Sequence, residues 1–257
     1  GTSMLTSFLK QLGLQTGWSR GNDEAYFFHK LNLYLERVCN CGWDNPRPFL
    51  SLMECKSKKN QVIDHLQKSL RWPKSTLFYG PRGILLGNTV EAINGAWGWK
   101  DPRNTFTAQI WQEIFPKAKF IHIYRNGVDV AASLREREVN SPPRLMSVYS
   151  SPRVCTLEGG FSLWEEYIEQ AFSIQSMLGE QGILHVRFED FMERPYDTLD
   201  SIVQFCGLQT DDDVIQKTSQ LADPKRSCAF LNNKDAADFY SKVKNRRWMR
   251  ELGFDDL

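Results

Sequence analysis

The chain has 257 residues and a mass of 29.8 kDa, which fits one large domain or at most two small ones. Hydrophobic residues at 41% and charged residues at 25% are ordinary for a globular protein and exclude a disordered or collagen-like chain. With 32 Lys and Arg against 31 Asp and Glu, the net charge of +1 provides no global pull toward nucleic acid or a membrane surface, so any anion site must be local.

Taken in chain order, the pattern is one of helices and short apolar strands. Residues from about Ser3 to Leu12 read as a helix ending at Gly13. Asp23 is the expected N-cap of a helix running through Val38, with Ala25, Phe28, Leu31 and Leu35 on one face. Gly42–Ser57, rich in Pro and aromatic residues, reads as loop, and Asn60–Leu70 as a short amphipathic helix. Two buried strands are expected at Trp97–Lys100 and Phe120–Tyr124, with a helix at Thr105–Phe115 between them. Helices follow at Gly127–Arg137 and Glu158–Leu178, then a third strand at Ile183–Phe188 and a helix ending near Cys206-Gly207. Strands separated by helices predict parallel βαβ units, hence an α/β fold of three layers, α/β/α, around a mostly parallel sheet. Ligands in such sheets sit at the carboxyl ends of the strands.

No apolar run approaches the roughly 18 residues of a membrane span. The six cysteines are scattered, and Cys39-Asn40-Cys41 lacks the two-residue gap of zinc or redox motifs, so reduced thiols in a cytoplasmic protein are expected. No cluster has metal-ligand spacing, and no metal is expected.

Three places carry chemistry. Gly1-Thr2-Ser3 opens directly into a helix, whose unpaired N–H groups and positive dipole end suit a phosphate or sulfate, although Thr or Ser there also serves as an ordinary cap. Arg125 ends a strand and Ser133 lies about two turns into the next helix. The guanidinium fork holds a phosphate bidentately and the hydroxyl adds a donor; the competing reading pairs Arg125 with Asp129. Lys100-Asp101-Pro102-Arg103 sets a compact cation at the end of a strand, where a solvated lysine is the competing reading.

Together these segments resemble the P-loop sulfotransferases that use 3'-phosphoadenosine 5'-phosphosulfate, in the bacterial-type branch similar to tyrosylprotein and glycosaminoglycan sulfotransferases. Gly1-Thr2-Ser3 resembles the end of the 5'-phosphosulfate loop, Arg125 with Ser133 the 3'-phosphate motif, and Lys100-Asp101-Pro102 the Lys-Asp-Pro element. Arg187-Phe188-Glu189-Asp190-Phe191 with Pro195, followed by Phe205-Cys206-Gly207-Leu208, resembles a further strand and helix of the family. The resemblance implies a single sulfotransferase domain over 1–257, with the family's first strand and a basic loop residue falling upstream of Gly1. It implies binding of the donor, and of its product adenosine 3',5'-bisphosphate, by Gly1, Thr2, Ser3, Arg125 and Ser133, with the Phe188 ring against the adenine. Lys225-Arg226-Ser227 falls where a loop reaches back over the cofactor, making Arg226 and Ser227 candidate contacts against the reading of a solvated turn.

Lys100 is the candidate for stabilising the bridging and sulfuryl oxygens. Glu24 is the candidate base for the acceptor's proton and Asp23 the second choice, with His29 a rival whose helical position also suits a structural role. The acceptor is a small molecule, glycan or peptide offering a hydroxyl or amine, and the loop between Cys39 and Ser57 together with Val139–Glu158 is where its contacts are expected. His122 reads as a satisfied core residue; His65 and His185 have no partner pattern; Lys242, Lys244, Arg246 and Arg247 read as a solvated face. Alternative functions are a P-loop small-molecule kinase, which Thr2 in place of a loop lysine argues against, and an inactive nucleotide-binding module. An alternative localisation is a Golgi-type lumenal domain with an anchor upstream. Oligomeric state is not readable.

Overall fold

The computed structural model describes residues 1–21, 23–140 and 150–257. Among them, two parallel strands, β1 (Phe120–Tyr124) and β2 (Ile183–Arg187), form a small sheet within a largely helical chain. Phe120 pairs with Ile183 and Tyr124 with Arg187, so both strands end at the same level. A parallel pair needs a long crossover, and the helices Gly127–Val139 and Leu157–Ser173 supply it. These two helices approach closely because Gly160 faces Ala131, where an added Cβ would lie 3.0 Å from the Ala131 Cα.

The third expected strand is different. Trp97–Lys100 is extended but makes only one parallel bridge, Trp97 with Gln15. Among the described residues its backbone ladder is short, Gln15 N–H donating to Ala96 and Gly98 N–H to Gln15, and the segment is held further by its rings and by the Trp99 indole N–H donating to Asn104 at 3.2 Å. Trp99 stacks on Phe28 at a centroid distance of 3.9 Å, and Trp97 lies beside both, 5.8 Å from Phe28 and 6.0 Å from Trp99, with Phe78 and Phe115 edge-on to it. The edge of β1 opposite β2 has no strand beside it among the described residues, so a mixed α/β chain with a two-strand sheet replaces the expected three-layer arrangement.

Helix α1 (Thr2–Gln11) buries Leu5, Phe8 and Leu9, one helical stripe, against Phe188, Phe191, Leu199 and Ile202. Helix α2 (Tyr26–Val38) starts three residues after the expected cap. Asp23 has φ +56° and turns its carboxylate to Lys10 at 2.8 Å, while the first N–H of α2 is satisfied by the Trp18 carbonyl at 2.8 Å. Gly42–Ser57 is not loop throughout: after Pro46-Arg47-Pro48 the chain enters a helix at Phe49–Glu54, and the next helix, Lys56–Ser69, begins before Asn60. A further cluster joins Val128, Ala131, Phe161 and Trp164 to Tyr240, Met249 and Phe254. Arg246 is on the exposed face expected for it and also ties this junction, pairing with Glu158 at 3.1 Å and Glu165 at 2.5 Å on the Leu157–Ser173 helix. No helix among the described residues is long and apolar enough to cross a membrane.

Candidate active site

The helix after β1 is placed by its cap. Asn126 is fully buried and accepts from Val128 N–H at 2.8 Å, while its own N–H donates to Glu189 at 3.0 Å. Gly127 then lies flat against Trp164, where a Cβ would come within 2.5 Å of the ring, and the indole N–H donates to the Arg125 carbonyl at 3.1 Å. The Arg125 backbone is therefore fixed from both sides.

Its guanidinium is equally constrained. Nε donates to Asp129 Oδ2 at 3.0 Å and Nη2 lies 2.8 Å from the same oxygen, so the Asp129 pairing read from the sequence is present. Nη2 also donates to the Arg226 carbonyl at 2.9 Å, and the guanidinium carbon stands 5.1 Å from the centre of the Phe188 ring. Arg226 thus meets Arg125 through its backbone; the Ser227 hydroxyl contacts Cys228 Sγ at 3.7 Å.

The start of α1 faces the same spot. A Cβ on Gly1 would be 3.2 Å from Phe188 and 3.4 Å from Ile123 at the end of β1, so the helix tip abuts the strand terminus without a side chain between. Arg125 and Lys100, from two distant segments, line the same cavity as the start of α1. Burial raises the carboxyl of Glu189, countered by the Asn126 N–H and the neighbouring arginines.

A second group of charges adjoins. Lys100 Nζ lies 3.5 Å from Glu24 Oε1. Glu24 Oε2 is 3.0 Å from His29 Nδ1, which in turn is 3.8 Å from Asp101 Oδ2. Arg103 ties this group to the core of α2: Nη1 is 3.0 Å from Asp101 Oδ1 and Nε donates to Glu36 at 2.8 Å. Burial works to raise the Asp101 carboxyl, but His29 and Arg103 beside it hold it below the usual carboxylate range. At Glu36 burial wins and the carboxyl is raised.

One cavity of about 1720 Å³ joins both groups, lined by Gly1, Thr2, Glu24, Lys100, Arg125, Ser133 and Phe188 among others. Ser133 is on the exposed face of its helix, open to that space. Ser3 is exposed and Asp23 points to Lys10; neither lines the cavity. Trp43 and Arg137 line it on the side of the Cys39–Ser57 segment, stacked with the guanidinium 5.1 Å from the ring. Of the expected acceptor segment Val139–Glu158, residues 141–149 lie outside the described residues.

A model of the sulfotransferase family matches residues 16–212. The chain belongs to the sulfotransferase family. Sulfuryl transfer is therefore its chemistry, and the match covers Glu24, Lys100, Arg125, Ser133 and Phe188, while Gly1-Thr2-Ser3 and Arg226-Ser227 lie beyond its ends. No curated protein and no solved structure matches the chain.

Spacing along the sulfotransferase sequence concealed two arrangements. Glu24 and His29, weighed as rivals, are in contact, and Asp101 joins them across a sequence separation that no local pattern reveals. Their ligand atoms lie within 4.8 Å of one another, a grouping able to reach a metal ion that the sequence reading did not foresee. The charges favour protons over a metal there, since Lys100 and Arg103 already stand against the same carboxylates. The second arrangement is in the sheet, where His122 Nδ1 meets His185 Nδ1 at 2.9 Å.

Proposed function

We propose that the chain transfers a sulfuryl group from 3'-phosphoadenosine 5'-phosphosulfate to a hydroxyl or amine acceptor, releasing adenosine 3',5'-bisphosphate. One observation carries this reading: a candidate base and a candidate electrophilic cation, Glu24 Oε1 and Lys100 Nζ, stand 3.5 Å apart in a cavity that Arg125 and the start of α1 also line.

The residues suit the donor's chemistry. A doubly anionic 3'-phosphate calls for a planar fork and a hydroxyl, which Arg125 and Ser133 provide. The phosphosulfate calls for N–H groups free of side-chain obstruction; Gly1 and Thr2 at the start of α1 supply them, where a Cβ on Gly1 would crowd Phe188. Phe188 offers its ring to the adenine. The donor supplies an activated sulfuryl group, and the chain's residues supply position and charge.

Glu24 takes the acceptor's proton as its oxygen or nitrogen attacks sulfur in line with the departing phosphate oxygen. Lys100 neutralises charge growing on that bridging oxygen and on the equatorial sulfuryl oxygens. Lys100 and Glu24 come from segments held rigidly by the Trp99–Phe28 stack and by the Arg103–Glu36 ion pair, so little reorganisation accompanies the reaction.

Calorimetry with adenosine 3',5'-bisphosphate against ATP tests the reading. The bisphosphate binds and ATP binds far more weakly; equal binding, or preference for ATP with Mg²⁺, overturns it in favour of a kinase.

A further inference from the structure

At one wall of the cavity, three carboxylates and two permanent cations share a small volume. Glu24, Asp101 and Glu36 face Lys100 and Arg103, with Lys100 on Glu24 and Arg103 divided between Asp101 and Glu36. Asp101 is wholly buried as a side chain, and its Oδ2 has no hydrogen-bond partner among the described residues. With a neutral imidazole at His29 the set carries one net negative charge, part of it on the fully buried Asp101, which is costly.

We propose that His29 is the positioning residue of Glu24: as an imidazolium it donates from Nδ1 to Oε2, turns Oε1 toward Lys100, and balances the charge of Asp101 behind it. The proposal rests on the reading of Glu24 as the base. The distances select the donor. Nδ1 is 3.0 Å from Glu24 Oε2 and 3.4 Å from Arg103 Nη1. Were Nδ1 a bare acceptor for Arg103, its lone pair would oppose an ionised oxygen at the shorter distance. With the proton on Nδ1, the short contact is a charge-assisted hydrogen bond and Arg103 stays with Asp101 Oδ1 at 3.0 Å. Charged groups around the ring come from three segments: Glu24 from the segment before α2, Glu36 from α2 itself, and Asp101 and Arg103 from the Lys-Asp-Pro turn, with Lys100 behind Glu24.

His29 does not touch the reacting atoms. Its effect passes through Glu24, whose Oε2 it engages and whose Oε1 it leaves facing Lys100 on the cavity wall.

Two measurements on the full chain test this. In the first, imidazole ¹⁵N resonances are followed through a pH titration of the wild type and of Glu24→Gln. His29 carries protons on both nitrogens at neutral pH, and its midpoint falls by about one pH unit or more when the Glu24 charge is removed. A His29 that is neutral at pH 7, or indifferent to Glu24→Gln, overturns the proposal. In the second, donor turnover with water as acceptor is compared with the dissociation constant for adenosine 3',5'-bisphosphate. His29→Ala lowers turnover by roughly 10–100-fold with affinity unchanged, and His29→Asn, which keeps a donor at the Nδ1 position, recovers most of the loss. Equal loss in both variants, or loss of affinity with turnover, marks a structural role and overturns it. Failure of the wild type to bind the bisphosphate sinks the donor-site reading instead, and the titration still decides the role of His29.

Discussion

His122 and His185 occupy paired positions on adjacent parallel strands and share one hydrogen bond between their Nδ1 atoms, 2.9 Å apart. One ring donates and the other accepts, so the contact excludes a proton on both Nδ1 atoms at once and disfavours two imidazolium rings. Burial, then the neighbouring His185, pushes His122 down to about 3, and burial lowers His185 as well. Phe172 stacks on His185 at 4.3 Å and closes the site.

The sign for stability follows. The unfolded chain protonates both rings below about pH 6.5 whereas the folded chain resists, so stability is complete above that pH and declines as pH falls toward the folded values. Each pH unit in that window costs about 1.4 kcal/mol per resisting ring. Urea unfolding between pH 8 and pH 4 should show the decline, and His122→Phe combined with His185→Phe should flatten it. An unchanged slope in the double variant would place the acid sensitivity elsewhere.

Arg125→Ala should weaken adenosine 3',5'-bisphosphate binding by roughly 10–100-fold, the scale of lost charge-assisted hydrogen bonds. Arg125→Lys should recover little, since an ammonium cannot reproduce the fork. Because the substitution also strips Asp129 of its ion pair, melting temperature must be recorded beside the calorimetry. Unaltered affinity would displace the phosphate site from β1.

Lys100→Ala should slow donor turnover by on the order of 100-fold while changing bisphosphate affinity only a few-fold. Steady-state rates beside binding constants read this split. An equal fall in both would make Lys100 a ground-state contact.

Phe28→Ala should destabilise the fold by about 3–5 kcal/mol, as expected for a large ring removed from a packed core. Phe28 is completely buried and touches both Trp97 and Trp99. Guanidinium unfolding gives the number, and a loss below about 1 kcal/mol would mean the tryptophan cluster closes over the gap.

Legibility of the sequence followed the range of the forces involved. β1, β2 and the helices around them were readable because their periodicity is local, and Gly207 ends its helix in the left-handed conformation that glycine favours. Trp97–Lys100 looked like a strand by composition; whether apolar residues pair through backbone or through rings is decided by distant partners such as Phe28. Asp23 looked like a cap, but Lys10 competes for its carboxylate. The convergence of Gly1, Lys100 and Arg125 was suggested by motif order, whereas the contacts of His29 with Asp101 and of His122 with His185 depend on how segments far apart in sequence come to rest side by side.

The clasp on Arg125 has a mechanical consequence. Asp129 holds the guanidinium through one oxygen and the Phe230 N–H through the other at 2.7 Å, while the Arg226 carbonyl grips the guanidinium from above. An anion arriving at that arginine tugs on a tether running into the last fifth of the polypeptide. Trimming the protein at the boundary of the family match would remove the Arg226 carbonyl and the Phe230 N–H and leave the arginine held by Asp129 alone.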